Sequence, residues 1–165
     1  MKVLIHPFEY EAIILPSSAA YFLFFDGGSR GDPGQGGTGV VVVRIGADGV
    51  GDTVCWSAAI SFDRRSAAMS HAAGTTTKNY AEYVGVVTGL RRAHSQGWTP
   101  LTVIGDSHLV LRQLAHYRPP LSERPRPLYT EARLLADRLN IVAWRHRLRA
   151  YNKMADYAAN VAMDS

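Results

Sequence analysis

Four acidic residues stand in local patterns where a carboxylate could do chemistry. They are Asp26 in FLFFDGGSRGDPG, Glu82 in TKNYAEYVGVVTGL, Asp106 in LTVIGDSHLVLRQL and Asp156 in RHRLRAYNKMADYAANVA. Asp26 and Asp106 end apolar, strand-like runs, whereas Glu82 and Asp156 stand near the starts of helix-like runs. Brought together, four carboxylates repel one another unless hard cations hold them, and Mg²⁺ is the usual one. A pair of ions held this way suits the cleavage of phosphodiesters.

Each acid also has a plainer explanation. Asp26 before Gly27 and Gly28 reads as a turn initiator. Glu82 in the first turn of its helix would compensate the helix dipole, and Asp156 would do the same for the last helix. Asp106 would serve as an N-cap. Caps and turns account for each residue alone but poorly for all four in these contexts. Against them stands the cost of ending the buried run YFLFF on a carboxylate that is neither paired, solvated nor metal-bound. Open α/β sheets, moreover, place their ligands at the C-terminal ends of strands.

The elements that must position these acids follow from hydrophobic periodicity. YFLFF reads as a central strand buried on both faces. The Gly-dense DGGSRGDPGQGGTG reads as a turn or loop within a β-hairpin, VVVVRI as the next strand, and TVCWSAAISF as a third. A helix is expected from near Asn79, with Tyr83, Val86, Val87 and Leu90 on one face, ending at Gly97 and Pro100. LTVIG is a short strand, and Ser107 caps a helix carrying Val110, Leu111 and Leu114. The four prolines of YRPPLSERPRP forbid a continuous helix. LYTEARLLADRL is an amphipathic helix, NIVAWRHR a strand, and Asn152 caps a final helix. The order β-β-β-α-β-α-α-β-α predicts an α/β fold: a mixed five-stranded sheet, three strands antiparallel then two parallel, with helices on both faces. Residues 1–19 form a leader or a short extra strand, and 20–165 the functional domain. The literal G-x-G-x-x-G at Gly34, Gly36 and Gly39 precedes a strand, not a helix, so it is no dinucleotide fingerprint.

Composition narrows the classes. The 165 residues with an apolar fraction of 47% suit one domain with a real core. A single cysteine, Cys55, excludes an internal disulfide and a Cys-rich zinc site. No apolar run approaches the roughly 20 residues of a membrane span, and Glu9 and Glu11 interrupt any signal-peptide layout. An intracellular protein, cytoplasmic or nuclear, not secreted and monomeric, is expected. Net charge is +4, but between Arg112 and Lys153 ten Arg/Lys face three Asp/Glu. A basic flank beside an acidic metal site fits a polyanionic substrate, although a solvated helix face would give the same count.

In four ordered motifs the chain resembles the type 1 ribonuclease H domain, in particular its reverse-transcriptase-associated and archaeal-like branch. The motifs are FFDGGSRGDPGQGGTGVVV, NYAEYVGVVTGL, GDSHLVLRQL and HRLRAYNKMADYAANVA, and the resemblance runs from about Tyr21 to Met163. It implies metal-dependent endonucleolytic hydrolysis of the RNA strand of RNA–DNA hybrids, leaving 5′-phosphate and 3′-hydroxyl ends. Asp26, Glu82, Asp106 and Asp156 would bind two Mg²⁺ ions, for which Mn²⁺ can substitute. One ion would activate water and the other stabilise the leaving 3′ oxygen, the two about 3.5–4 Å apart. Recognition of RNA rests on its 2′-hydroxyls, for which Gly27, Gly28, Ser29 and Asn79 are the candidates.

Many relatives carry a mobile histidine in a loop before the last helix, and this chain is shortened there. His146, Arg149 and Asn152 form an H-x-x-R-x-x-N pattern. Arg149 is the better candidate for assisting the scissile phosphate, and His146 reads as a hydrogen-bonded strand-end residue. No basic handle helix is evident, which leaves Arg112, Arg118, Arg124 and Arg126 to contact phosphates on the DNA side. The branch also suggests an origin in a retrotransposon polyprotein, with a reverse transcriptase domain upstream as a partner. The competing readings are a catalytically silent module that binds hybrid or double-stranded RNA or serves a polyprotein structurally, and a transposase- or integrase-like DNA nuclease.

Overall fold

Among the described residues, five strands and three helices arise from the runs just described. The computed structural model describes residues 20–31, 34–45, 53–62 and 75–147. Its strands are β1 (Ala20–Gly31), β2 (Gly34–Ile45), β3 (Thr53–Phe62), β4 (Leu101–Gly105) and β5 (Ile141–His146). Its helices are α1 (Thr75–Gln96), α2 (His108–Ala115) and α3 (Arg126–Arg138). The sheet order is β3-β2-β1-β4-β5. β1–β2 and β2–β3 pair antiparallel, and β1–β4 and β4–β5 pair parallel.

β1 occupies the centre of this sheet, as its unbroken apolar run requires. Its side chains alternate between two cores. Leu23 and Phe25 join Val40, Val42 and the inner faces of all three helices. Phe22 and Phe24 join Val41, Val43 and Ile104 in a second cluster. The described helices thus contribute to one core only. The final helix expected from Asn152 lies outside the described residues, as do residues 1–19 and 63–74.

Two expectations change. The glycine-rich segment is largely strand: β1 and β2 stay in register from Asp26↔Gly39 to Gly31↔Gly34. Glycine punctuates isolated sequence, but its N–H and C=O join a ladder as well as any other once a partner strand is fixed. Helix α1 also begins at Thr75, a full turn before Asn79. Its predicted stripe is correct: Tyr83, Val86, Val87 and Leu90 are all buried. Among the described residues no helix is long and apolar enough to cross a membrane.

Candidate metal centre

The parallel pairing of β1 with β4 sets the site. Phe25 is in register with Gly105, where the pairing and β4 both end, so Asp26 in β1 and Asp106 just past β4 each follow one residue later. Glu82 reaches them from α1, and one ligand atom from each of the three carboxylates lies within 4.8 Å of the others.

Glycine makes this approach possible. A β-carbon on Gly27 would stand 2.5 Å from Glu82 N and 2.6 Å from the Ala81 carbonyl carbon. Both are backbone atoms that cannot swing away, so only glycine lets α1 lie this close to β1. One turn further along, a β-carbon on Gly85 would collide with Thr38 Oγ1. That hydroxyl donates to the Asp26 carbonyl at 3.0 Å, inside the core. Glycine contacts and one buried hydrogen bond therefore fix the helix carrying Glu82 against the strand carrying Asp26.

The electrostatics are severe. Asp26 and Glu82 are fully buried, and Asp106 is half-buried. Burial pushes the Glu82 carboxyl well above the usual range, and the charges of Asp26 and Asp106 push it further. The Gly27 amide and Lys78 offset part of this. Both Glu82 carboxylate oxygens are buried without a hydrogen bond of good geometry. A buried acceptor in that state is expensive, and oxygen-only donors at this spacing fit a hard divalent cation. The residues present therefore fit the ions that the resemblance implies.

Two plainer explanations fail on position. Glu82 is the eighth residue of α1, and no acid occupies the first turn, so it does not serve the helix dipole. Ser107, not Asp106, caps α2, its side chain accepting from Val110 N at 3.3 Å.

The other candidates are distributed as follows. Gly28 and Ser29 continue β1 opposite Gly37 and Gly36. Asn79 is half-buried on α1, one turn before Glu82. His146 ends β5, opposite Gly105. Its Nε2 lies 3.0 Å from the Asp106 carbonyl oxygen, so an Nε2–H there donates to the backbone of a cluster residue. Asp156, Arg149 and Asn152 lie outside the described residues.

Sequence reasoning missed His108. It stacks on His146 with ring centroids 3.6 Å apart. Its place two residues after Asp106 was the available signal. Of the four arginines expected on phosphates, Arg126 is committed elsewhere: its Nε and Nη2 donate to the carbonyls of Pro120 and Leu121, each at 3.0 Å. Arginines in a proline-rich loop are drawn to backbone carbonyls that no helix satisfies.

Asp26 lies within β1 rather than at its end, because β1 runs on to Gly31 opposite β2; it is the parallel β1–β4 pairing that stops at Phe25↔Gly105, just before Asp26 and Asp106. Antiparallel strands followed by parallel ones, with acids where the β1–β4 pairing stops, are the arrangement of the ribonuclease H-like α/β fold. The profile of a family described as reverse transcriptase-like matches residues 24–162. A ribonuclease HI of Halobacterium salinarum is 31% identical over 163 residues, covering 96% of this chain and 72% of that protein. A bifunctional protein of Mycobacterium tuberculosis is 36% identical over 140 residues, 85% of this chain. The chain spans about a third of that relative's length, 34%. The solved N-terminal ribonuclease H domain of the same mycobacterial protein superposes with a TM-score of 0.70 at 33% identity, covering 89% of this chain and 95% of that domain. This chain belongs to the type 1 ribonuclease H family.

Proposed function

We propose that this protein hydrolyses the RNA strand of RNA–DNA hybrids endonucleolytically, leaving 5′-phosphate and 3′-hydroxyl ends. The observation that carries the reading is the cluster of buried Asp26 and Glu82 with half-buried Asp106, where the parallel β1–β4 pairing stops, in a chain of this family. Asp26, Glu82, Asp106 and Asp156 would hold two divalent cations, Mg²⁺ or Mn²⁺. Bound there, the ions supply Lewis acidity that makes water a better nucleophile and offset charge on the phosphate.

The chain's own residues supply position. Gly27 brings Glu82 against β1, Ser107 directs Asp106 out of the helix cap, and His146 holds the Asp106 carbonyl. To Gly27, Gly28 and Ser29, with Asn79 one turn before Glu82, this reading assigns contact with 2′-hydroxyls, the group that separates RNA from DNA. Arg149 is assigned to the scissile phosphate and Asn152 to the substrate beside it. Residues 20–165 form the catalytic unit in this reading.

Cleavage assays on labelled hybrid, DNA duplex and RNA duplex, each with Mg²⁺ or Mn²⁺, test it. The expected result is cutting of the RNA strand of the hybrid alone. Cutting of duplex DNA would favour an integrase-like nuclease, and hybrid binding without cutting would favour a silent module.

A further inference from the structure

The proline-rich loop between α2 and α3 is built by its arginines, and they divide the work. Arg126 braces the loop from within through the carbonyls of Pro120 and Leu121. Arg124, two residues earlier, leaves the loop and lays its guanidinium over the ring of Tyr80, 4.3 Å from the centroid. Tyr80 is on α1, two residues before Glu82, which at about 1.5 Å rise per residue is about 3 Å along the helix axis. The brace and the stack therefore fix a cation level with the acidic cluster along α1 but about 200° around the helix from Glu82, on another of its faces.

Among the described residues that cation pairs with no carboxylate. Its Nη1 is buried without a hydrogen-bond partner among the described residues. Arg91 and Arg133 differ: Arg91 is bidentate on Glu131, and Arg133 pairs with Asp137. An aromatic face orients a guanidinium without neutralising its charge, and since Nη1 is buried it is the remaining edge of the half-buried Arg124 guanidinium that can meet a phosphate. Lys78, whose charge acts on Glu82, stands at the same end of α1. A polyanion approaching three carboxylates needs such flanking positive charge.

Resting on the hybrid-cleaving reading, we infer that Arg124, pre-oriented by Tyr80, is a phosphate-binding residue for the nucleic-acid substrate, and that Arg126 only shapes the loop that presents it. The contact is to backbone, so it adds affinity and salt dependence without reading sequence or strand type.

The test measures binding of a fluorescent RNA–DNA hybrid over a salt series, in an Asp106→Asn background so that the substrate survives. Hybrid turnover by the otherwise native chain is measured in parallel. Arg124→Ala should weaken binding several-fold at low salt and reduce the slope of log K against log salt by about 0.9, the value for one phosphate. In turnover its effect should fall on KM more than on kcat. Arg124→Lys should keep the salt slope. Tyr80→Phe, which preserves the ring face, should bind as the parent does, and Tyr80→Ala should move in the direction of Arg124→Ala. Arg138→Ala, an exposed charge at the other end of α3, should leave the slope unchanged.

An Arg124→Ala protein with the parent's melting temperature, salt slope and KM would overturn the inference. So would a loss matched by Arg138→Ala, which would make the effect one of net charge. If Arg124→Ala melts early, Arg124→Lys decides: a folded Arg124→Lys protein that keeps the parent's salt slope supports the phosphate contact, and one that has lost about one phosphate's worth of slope overturns it. If the unsubstituted chain neither binds nor cuts hybrid, the proposed function fails instead.

Discussion

Gly27 and Glu82 meet backbone to backbone: a β-carbon on the glycine would lie 2.5 Å from the Glu82 nitrogen. The depth at which α1 seats on β1 is thus set by a missing side chain, and the Glu82 carboxylate arrives at the cluster because of it. Gly27→Ala should push the helix outward. The expected cost is about 1–3 kcal/mol, the usual range for overpacking, together with weaker uptake of divalent cations. Thermal melts with and without Mg²⁺ check both. A variant as stable as the parent, with an unchanged Mg²⁺-dependent rise in melting temperature, would show that the contact relaxes freely.

Glu82 also gives the metal-free protein a pH dependence. Its carboxyl is raised in the folded state, first by burial and then by Asp26 and Asp106, above the ordinary value of 4.5. The folded state therefore keeps a proton that the unfolded chain releases. This contribution to stability is complete below pH 4.5 and is lost as pH rises through the folded value. In EDTA, denaturation midpoints should fall as pH rises from acid toward neutral. Glu82→Gln should flatten that trend, and Mg²⁺ should restore stability at the alkaline end. A Glu82→Gln protein with the parent's pH dependence would contradict the assignment.

Ser107 is the only described cap between the strand that delivers Asp106 and the helix that follows. Ser107→Ala should cost about 0.5–2 kcal/mol of stability. It should also lower Mg²⁺ affinity, because the first turn of α2 is free to fray beside a cluster residue. Calorimetry of Mg²⁺ binding, set against the thermal shift, separates the two effects.

His146 acts on the cluster through the Asp106 carbonyl rather than through a carboxylate. Partners of this outer kind typically contribute 10–100-fold to metal affinity or activity. His146→Ala should therefore lose about 10-fold in Mg²⁺ affinity. His146→Gln, whose amide N–H can reach the same carbonyl, should recover part of it. Equal losses in both variants would assign the role to stacking on His108 instead.

Much of this fold was legible because its signals are local. β1 announced its central position by five consecutive apolar residues, α1 its inner face by Tyr83, Val86, Val87 and Leu90, and α2 its cap by Ser107. The convergence of Asp26 and Asp106 follows from acids directly after two apolar runs that pair in parallel as β1 and β4, although β1 itself continues past Asp26. The misreadings came where pairing overrides propensity. Gly34–Gly39 looked like loop because nothing local says that β1 continues opposite it. The start of α1 falls earlier than expected because Thr75–Thr77 are weak helix formers, and only the late start made a helix-dipole role an alternative for Glu82. The His108–His146 stack and the Arg124–Tyr80 contact join elements far apart in sequence, so no local pattern reveals them.

The most direct test of the whole account is cleavage of an end-labelled RNA–DNA hybrid in Mg²⁺, beside Asp106→Asn and an EDTA control. Asp106→Asn should reduce the rate by at least about 100-fold, as loss of a preorganised charged group does, while retaining the fold and hybrid binding. The account predicts cutting of the RNA strand alone, lost in EDTA and in the variant. Metal-independent cutting, or an Asp106→Asn protein that cuts at the native rate, would mean that the carboxylate cluster is not the reacting centre.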